Sequence, residues 1–88
     1  MSPDAMIEKI RKAAEGDVSV SDHGRYTEVT AKVAGIVTVY VLAADGTVLG
    51  RSEQGPAGST CYARGSLKGG SYLGSRLTHD EFLSRIGA

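Results

Sequence analysis

Residues 36–51, Ile-Val-Thr-Val-Tyr-Val-Leu-Ala-Ala-Asp-Gly-Thr-Val-Leu-Gly-Arg, decide the fold. Ile36 to Leu42 is dense in β-branched residues around one tyrosine. It is apolar enough on both faces to be a central strand. Asp45-Gly46 follows, a strong hairpin signal because both residues of a tight hairpin turn must tolerate positive φ. A two-residue turn there pairs Ala44 with Thr47, Leu42 with Leu49 and Tyr40 with Arg51, and it predicts a further strand through Ser52. Strands joined by so short a turn run antiparallel.

Upstream, Val18 and Val20 alternate with Asp17, Ser19 and Ser21. Asp22-His23-Gly24 supplies turn chemistry, and alternation resumes from Tyr26 to Ala34, which predicts a first hairpin. Ala34-Gly35 then turns the chain into the central strand. Ser2-Pro3-Asp4 reads as a helix start, with Met6, Ile7, Ile10, Ala13 and Ala14 on one face and Gly16 as the stop. The spacing predicts a helix over 3–15.

Downstream, 53–58 (Glu-Gln-Gly-Pro-Ala-Gly) reads as a loop, and Ser59–Arg64 as a fifth strand at the sheet edge. Thr78 and Glu81 have capping-box spacing, and Leu77 and Phe82 have hydrophobic-staple spacing, so a helix runs from His79 to Ile86 and ends at Gly87. The expected architecture is a single α+β domain over residues 1–88. It has an antiparallel sheet of four to five strands, with the N-terminal and C-terminal helices packed on one face.

Eighty-eight residues allow one thin core and a stability margin of about 4–10 kcal/mol. Ten acids balance ten bases, whereas nucleic-acid binders usually carry a positive excess. The balance is uneven along the chain. Residues 51–77 hold Glu53 against Arg51, Arg64, Lys68 and Arg76, and from Gln54 to Leu77 there is no acid, with glycine at 55, 58, 65, 69, 70 and 74. Cys61 is the single cysteine, so no intrachain disulfide forms, and a reducing cytoplasm is the expected location. No apolar run is long enough to cross a membrane as a helix.

The Gly-rich basic segment 54–77 is the first candidate surface. Arg51, Arg64, Lys68 and Arg76 would meet phosphates or acidic groups, with Tyr72 supplying a ring for stacking or burial. Tyr26, Thr38 and Tyr40 form a second candidate surface if they share the sheet face away from the helices. Cys61, His23 and His79 lack the spacing of a zinc site, and Leu67-Lys68-Gly69-Gly70-Ser71 lacks the order of a phosphate-binding loop, so neither metal nor cofactor is expected. A catalytic reading would require Cys61, His79 and a carboxylate such as Asp80 to converge. An exposed edge at Ser59–Arg64 would let a second copy pair with it.

In outline, with a helix at 3–15, strands ending near Ser52 and a helix at 79–86, the chain resembles the small phage-encoded inhibitors of the anti-CRISPR type. That resemblance implies a cysteine-poor cytoplasmic domain without catalytic residues, which binds a nucleoprotein effector and blocks its DNA access or nuclease recruitment. The expected function is accordingly a non-enzymatic inhibitor or adaptor with a protein or nucleoprotein partner. Direct nucleic-acid binding through the Gly-rich segment is the alternative.

Overall fold

The computed structural model describes residues 2–65 and 67–88; Ser66, inside the Gly-rich segment, lies outside the described residues. Helix α1 spans Asp4–Ala13, and six strands follow: β1 (Ser19–Asp22), β2 (Thr27–Val33), β3 (Ile36–Leu42), β4 (Val48–Gly55), β5 (Gly58–Ala63) and β6 (Ser71–Ser75). Helix α2, His79–Ile86, closes the chain. The six strands form one antiparallel sheet in sequence order.

Helix α1 ends earlier than the glycine at position 16 suggests, because the chain finds better partners on the sheet. Ala14 is already extended and bridges Val33, the Glu15 N–H donates to the Lys32 carbonyl at 2.7 Å, and the Gly35 N–H donates to Glu15 Oε1 at 2.8 Å. Helix α2 carries the capping box its sequence announces. Thr78 Oγ1 accepts from the Glu81 N–H and Glu81 Oε1 accepts from the Thr78 N–H, both at 3.1 Å, and Gly87 ends the helix in the left-handed region at φ 76°.

Those hydrogen bonds to Thr78, backbone first, hold the Glu81 carboxyl below its ordinary range. A carboxyl lowered on folding stabilises above its unfolded pKa, and that contribution is lost as pH falls through the lowered folded value. Thr78→Ala removes the hydroxyl and keeps the Thr78 N–H, so it is expected to cost about 0.5–2 kcal/mol in thermal melts at neutral pH and to reduce the acid limb of the stability curve only in part.

The register departs from the expected one at a single inserted residue. Tyr40 does pair with Arg51, but Val41 pairs with Gly50 and Leu42 with Val48, which leaves Leu49 as a bulge in β4. The turn is also longer: the Gly46 N–H donates to the Ala43 carbonyl at 2.9 Å and Ala43 N–H to the Thr47 carbonyl at 2.8 Å, with Gly46 at φ 91°. This is a three-residue hairpin loop in which a left-handed glycine follows the turn. A second bulge occurs in β6, where Cys61 pairs with Gly74 and Tyr62 with Tyr72, leaving Leu73 over. Each bulge adds a leucine to the same side of the sheet, where both pack around Phe82.

The helices lie on opposite faces, which corrects the expectation of a shared one. Along β3, Tyr40 and Leu42 join the cluster of Ile10, Val29, Ala31, Val33 and Val48 beneath α1. Val41, between them, joins Cys61, Phe82 and Ile86 beneath α2. Successive strand side chains point to opposite faces, so the two clusters are separated by the sheet. Helix α1 lies over β2, and α2 over β4 and β5.

The sheet also has more strands than expected. Gly55 pairs with Gly58, so Pro56-Ala57 is a hairpin turn where a six-residue loop was expected, and Ser71–Ser75 supplies the unexpected β6. Ser59–Arg64 is therefore no edge. Its residues 59–63 lie in β5, which is paired on both sides, and among the described residues the edges are β1 and β6.

Candidate partner-binding surface

A row of side chains crosses the α1 side of the sheet through the cross-strand pairs Tyr40–Arg51, Arg51–Tyr62 and Tyr62–Tyr72. Arg51 is the hub of this row. Its guanidinium carbon sits 4.1 Å from the centre of the Tyr62 ring, its Nη2 pairs with Glu53 at 3.2 Å, and its Nη1 donates to the Gly69 carbonyl. Tyr40 donates its hydroxyl to the Leu67 carbonyl at 3.1 Å. Burial pushes the Tyr40 phenol above its ordinary range, opposed by the Arg51 charge and assisted by Glu53. The chain between β5 and β6 is thus folded back onto the sheet and held by two buried polar groups.

Arg51 is 5 % exposed, Thr38 3 % and Tyr40 fully buried. None of the three can form a binding surface. Arg51 was expected to meet a partner; here its charge is spent on Glu53, Tyr62 and a loop carbonyl, and a buried guanidinium needs such partners. The second candidate surface dissolves for a further reason. Tyr26 packs at the margin of the α2 cluster and stacks on His23 at 4.8 Å, on the opposite side of the sheet from Thr38 and Tyr40.

The remaining cations of the Gly-rich segment divide between two ends. Arg64 follows β5 and Lys68 belongs to the folded-back loop, and both are exposed. Arg76 follows β6 beside the β4–β5 turn, where its Nε donates to the Ala57 carbonyl at 3.1 Å and its N–H to the Ser59 carbonyl. Arg64 and Ser59 are separated by the length of β5, about 17 Å at strand rise. Arg76 therefore does not belong to the same patch as Arg64 and Lys68.

Helix α1 supplies what the Gly-rich segment lacks. Met6 and Lys9 of α1 face Leu67 and Lys68 of the loop across an open groove of about 400 Å³. The floor is apolar. The ammonium groups of Lys9 and Lys68 make no hydrogen bond or ion pair with any described residue. Tyr72, 62 % exposed, stands on the same side of the sheet at its edge. Lys9 was not among the expected binding residues, because its helical position reads as plain solvent face. Only the folded-back loop makes it one wall of a groove.

On the other side, Cys61 and His79 line one cavity of about 240 Å³ together with Ser52, Gln54, Ser59 and Thr78. The thiol is fully buried and contacts the Ser52 and Ser59 hydroxyls at 3.7 and 3.9 Å. His79 Nε2 lies 2.6 Å from Glu28 Oε1, so the carboxylate it meets is Glu28 and not Asp80. Glu28 Oε2 also lies 3.8 Å from His23 Nε2, which ties the first turn and the start of α2 to one sheet residue. Among the described residues no group of histidine, cysteine and carboxylates has the arrangement to hold a metal ion. No helix among them is long and apolar enough to cross a membrane.

No protein-family model matches the chain, no curated protein matches it, and no solved structure matches it.

Proposed function

We propose that the chain is a non-enzymatic inhibitor or adaptor that docks on a protein partner through the groove between α1 and the β5–β6 loop. The observation that carries this reading is the apolar floor of Met6 and Leu67 flanked by two lysines with no described partner. An apolar floor takes a buried anchor from a partner, and the two cations select carboxylates beside that anchor. The occupant is accordingly an acidic segment with apolar side chains. In the setting suggested by the anti-CRISPR-like outline, that segment belongs to a protein subunit of a nucleoprotein effector, and occupying it blocks the effector.

The test is a parallel pull-down from lysate of the natural host, with the unaltered chain and with Lys9→Glu/Lys68→Glu. A stoichiometric protein retained by the first and lost by the second supports the reading. Equal retention by both, or no retained protein, overturns it.

A second reading rests on the exposed Tyr72 ring, which follows Lys68 by four residues and Arg64 by eight. Aromatic rings beside cations stack on single-stranded bases. If nucleic acid is the ligand, affinity falls steeply with salt, and removing one phosphate contact lowers the log–log slope by about 0.7–0.9. No mobility shift of single- or double-stranded oligonucleotides at low salt would dismiss it.

A further inference from the structure

The two edges of the sheet are not treated alike. At β6, the Leu73 bulge breaks the ladder and the Arg85 guanidinium occupies the Leu73 carbonyl at 3.1 Å. Bulges and charged groups at an edge are devices that block pairing with another chain. At β1, Ser19–Asp22 pairs with β2 in unbroken register and all four residues are exposed. It has no bulge, proline, lysine or glycine, its one charged side chain, Asp22, is turned back to accept from the Gly24 N–H at 2.8 Å, and Val20 shows 43 % of its surface.

The direction of the free backbone groups follows from the ladder. The His23 N–H donates to the Tyr26 carbonyl at 2.9 Å, so the pair 23–26 faces inward. Antiparallel pairs alternate between bonded and non-bonded, which makes Ser21–Glu28 and Ser19–Thr30 inward as well. The N–H and C=O groups of Val20 and Asp22, and the Val18 carbonyl, which is trans to the inward Ser19 N–H, therefore point out of the sheet.

We infer that this edge pairs with the same edge of a second copy, antiparallel about a two-fold axis through Val20, joining two sheets into one. The register is chosen by what it brings together. With Val20 facing the partner's Val20, the two exposed valines cover each other, Ser19 faces the partner's Ser21, and Asp17 faces the partner's His23. Centring the axis on Asp22 sets two carboxylates against each other. Centring it on Val18 leaves Val20 facing the partner's Gly16. The favoured register makes about four backbone hydrogen bonds, two at the Val20 pair and one at each Val18–Asp22 pair. So short an edge buries less than the roughly 1,200 Å² of a standard stable interface, so the dimer is weak and appears with rising concentration.

Sedimentation equilibrium from micromolar to millimolar protein tests this, with backbone amide exchange read at both ends of the range. The expected result is a mass rising toward twice the monomer, with protection gained at Val20 and Asp22, whose N–H groups point outward from β1. Val20→Pro removes an outward N–H and no bond to β2, so it should weaken association by more than about tenfold while leaving the melting temperature close to that of the unaltered chain. Val20→Lys serves the same purpose should the proline variant not fold. A chain that stays monomeric at millimolar concentration, unaltered association in the folded variant, or new protection elsewhere than β1 overturns the inference.

Discussion

Gly70→Ala is expected to unfold the loop that forms one wall of the α1 groove and to lower stability by about 2–5 kcal/mol, combining backbone strain with a steric clash. Gly70 sits at φ 128°, a conformation that L side chains rarely adopt. A methyl group there would run into the Arg64 carbonyl oxygen and reach within 2.8 Å of the Ala63 carbonyl oxygen. Neither obstacle is the far end of a flexible side chain, so the backbone itself must move. Lifting this loop removes the Leu67 carbonyl from Tyr40 and the Gly69 carbonyl from Arg51. A buried guanidinium and phenol then lose acceptors, which adds to the cost. Denaturant melts should show the loss, and amide exchange should show it concentrated at residues 64–72. A variant melting with the unaltered chain would mean that the loop is not held as described.

Phe82→Ala should cost about 3–5 kcal/mol, much of a margin of about 4–10 kcal/mol. Phe82 is 1 % exposed and belongs to the cluster of Val41, Cys61 and Ile86, with Leu49, Leu73 and Leu77 packed around it. It is the largest side chain that α2 inserts against the sheet, and the facing Gly50 leaves little slack nearby. A methyl group on Gly50 would come within 2.7 Å of Ile86 Cγ2 and 2.9 Å of the Tyr62 carbonyl oxygen. At about 4–8 °C per kcal/mol for a domain of this size, the melting temperature should fall by more than about 12 °C. The α1 groove lies across the sheet and shares no residue with this cluster, so at low temperature the folded fraction should keep whatever partner the groove is proposed to hold.

Local signals were strong where local chemistry decides the structure. The span Ile36–Leu42, the Tyr40–Arg51 pair and the capping box at Thr78–Glu81 each depend on residues close in sequence or on one turn. The bulges at Leu49 and Leu73 were not legible, because a single inserted residue is decided by which leucine the α2 cluster can bury. The placement of the helices on opposite faces does have a signal in the sequence. Ile36–Leu42 is apolar on both faces, which calls for a cover on each, and one helix goes to each.

The strand β6 was hidden by its glycines. Gly70 and Gly74 sit at positive φ, where they close a loop and shape a bulged edge, so composition alone reads as a flexible link. The candidate site was half legible. Arg64, Lys68 and Tyr72 are exposed, but Arg51 has the same charge and a buried role. Lys9 enters the site through a tertiary contact that no spacing in the helix reveals.

We propose that binding resides at the α1–loop groove and not along the whole Gly-rich segment. This is tested most directly by calorimetric titration of the retained partner against three chains: unaltered, Lys9→Glu/Lys68→Glu, and Arg76→Glu, each first shown to melt near the unaltered temperature. A loss of more than about 100-fold is expected for the double reversal, since glutamates set against an acidic segment cost several kcal/mol, and no change beyond about twofold for Arg76→Glu. Full affinity in the double reversal, or an equal loss in Arg76→Glu, would contradict it.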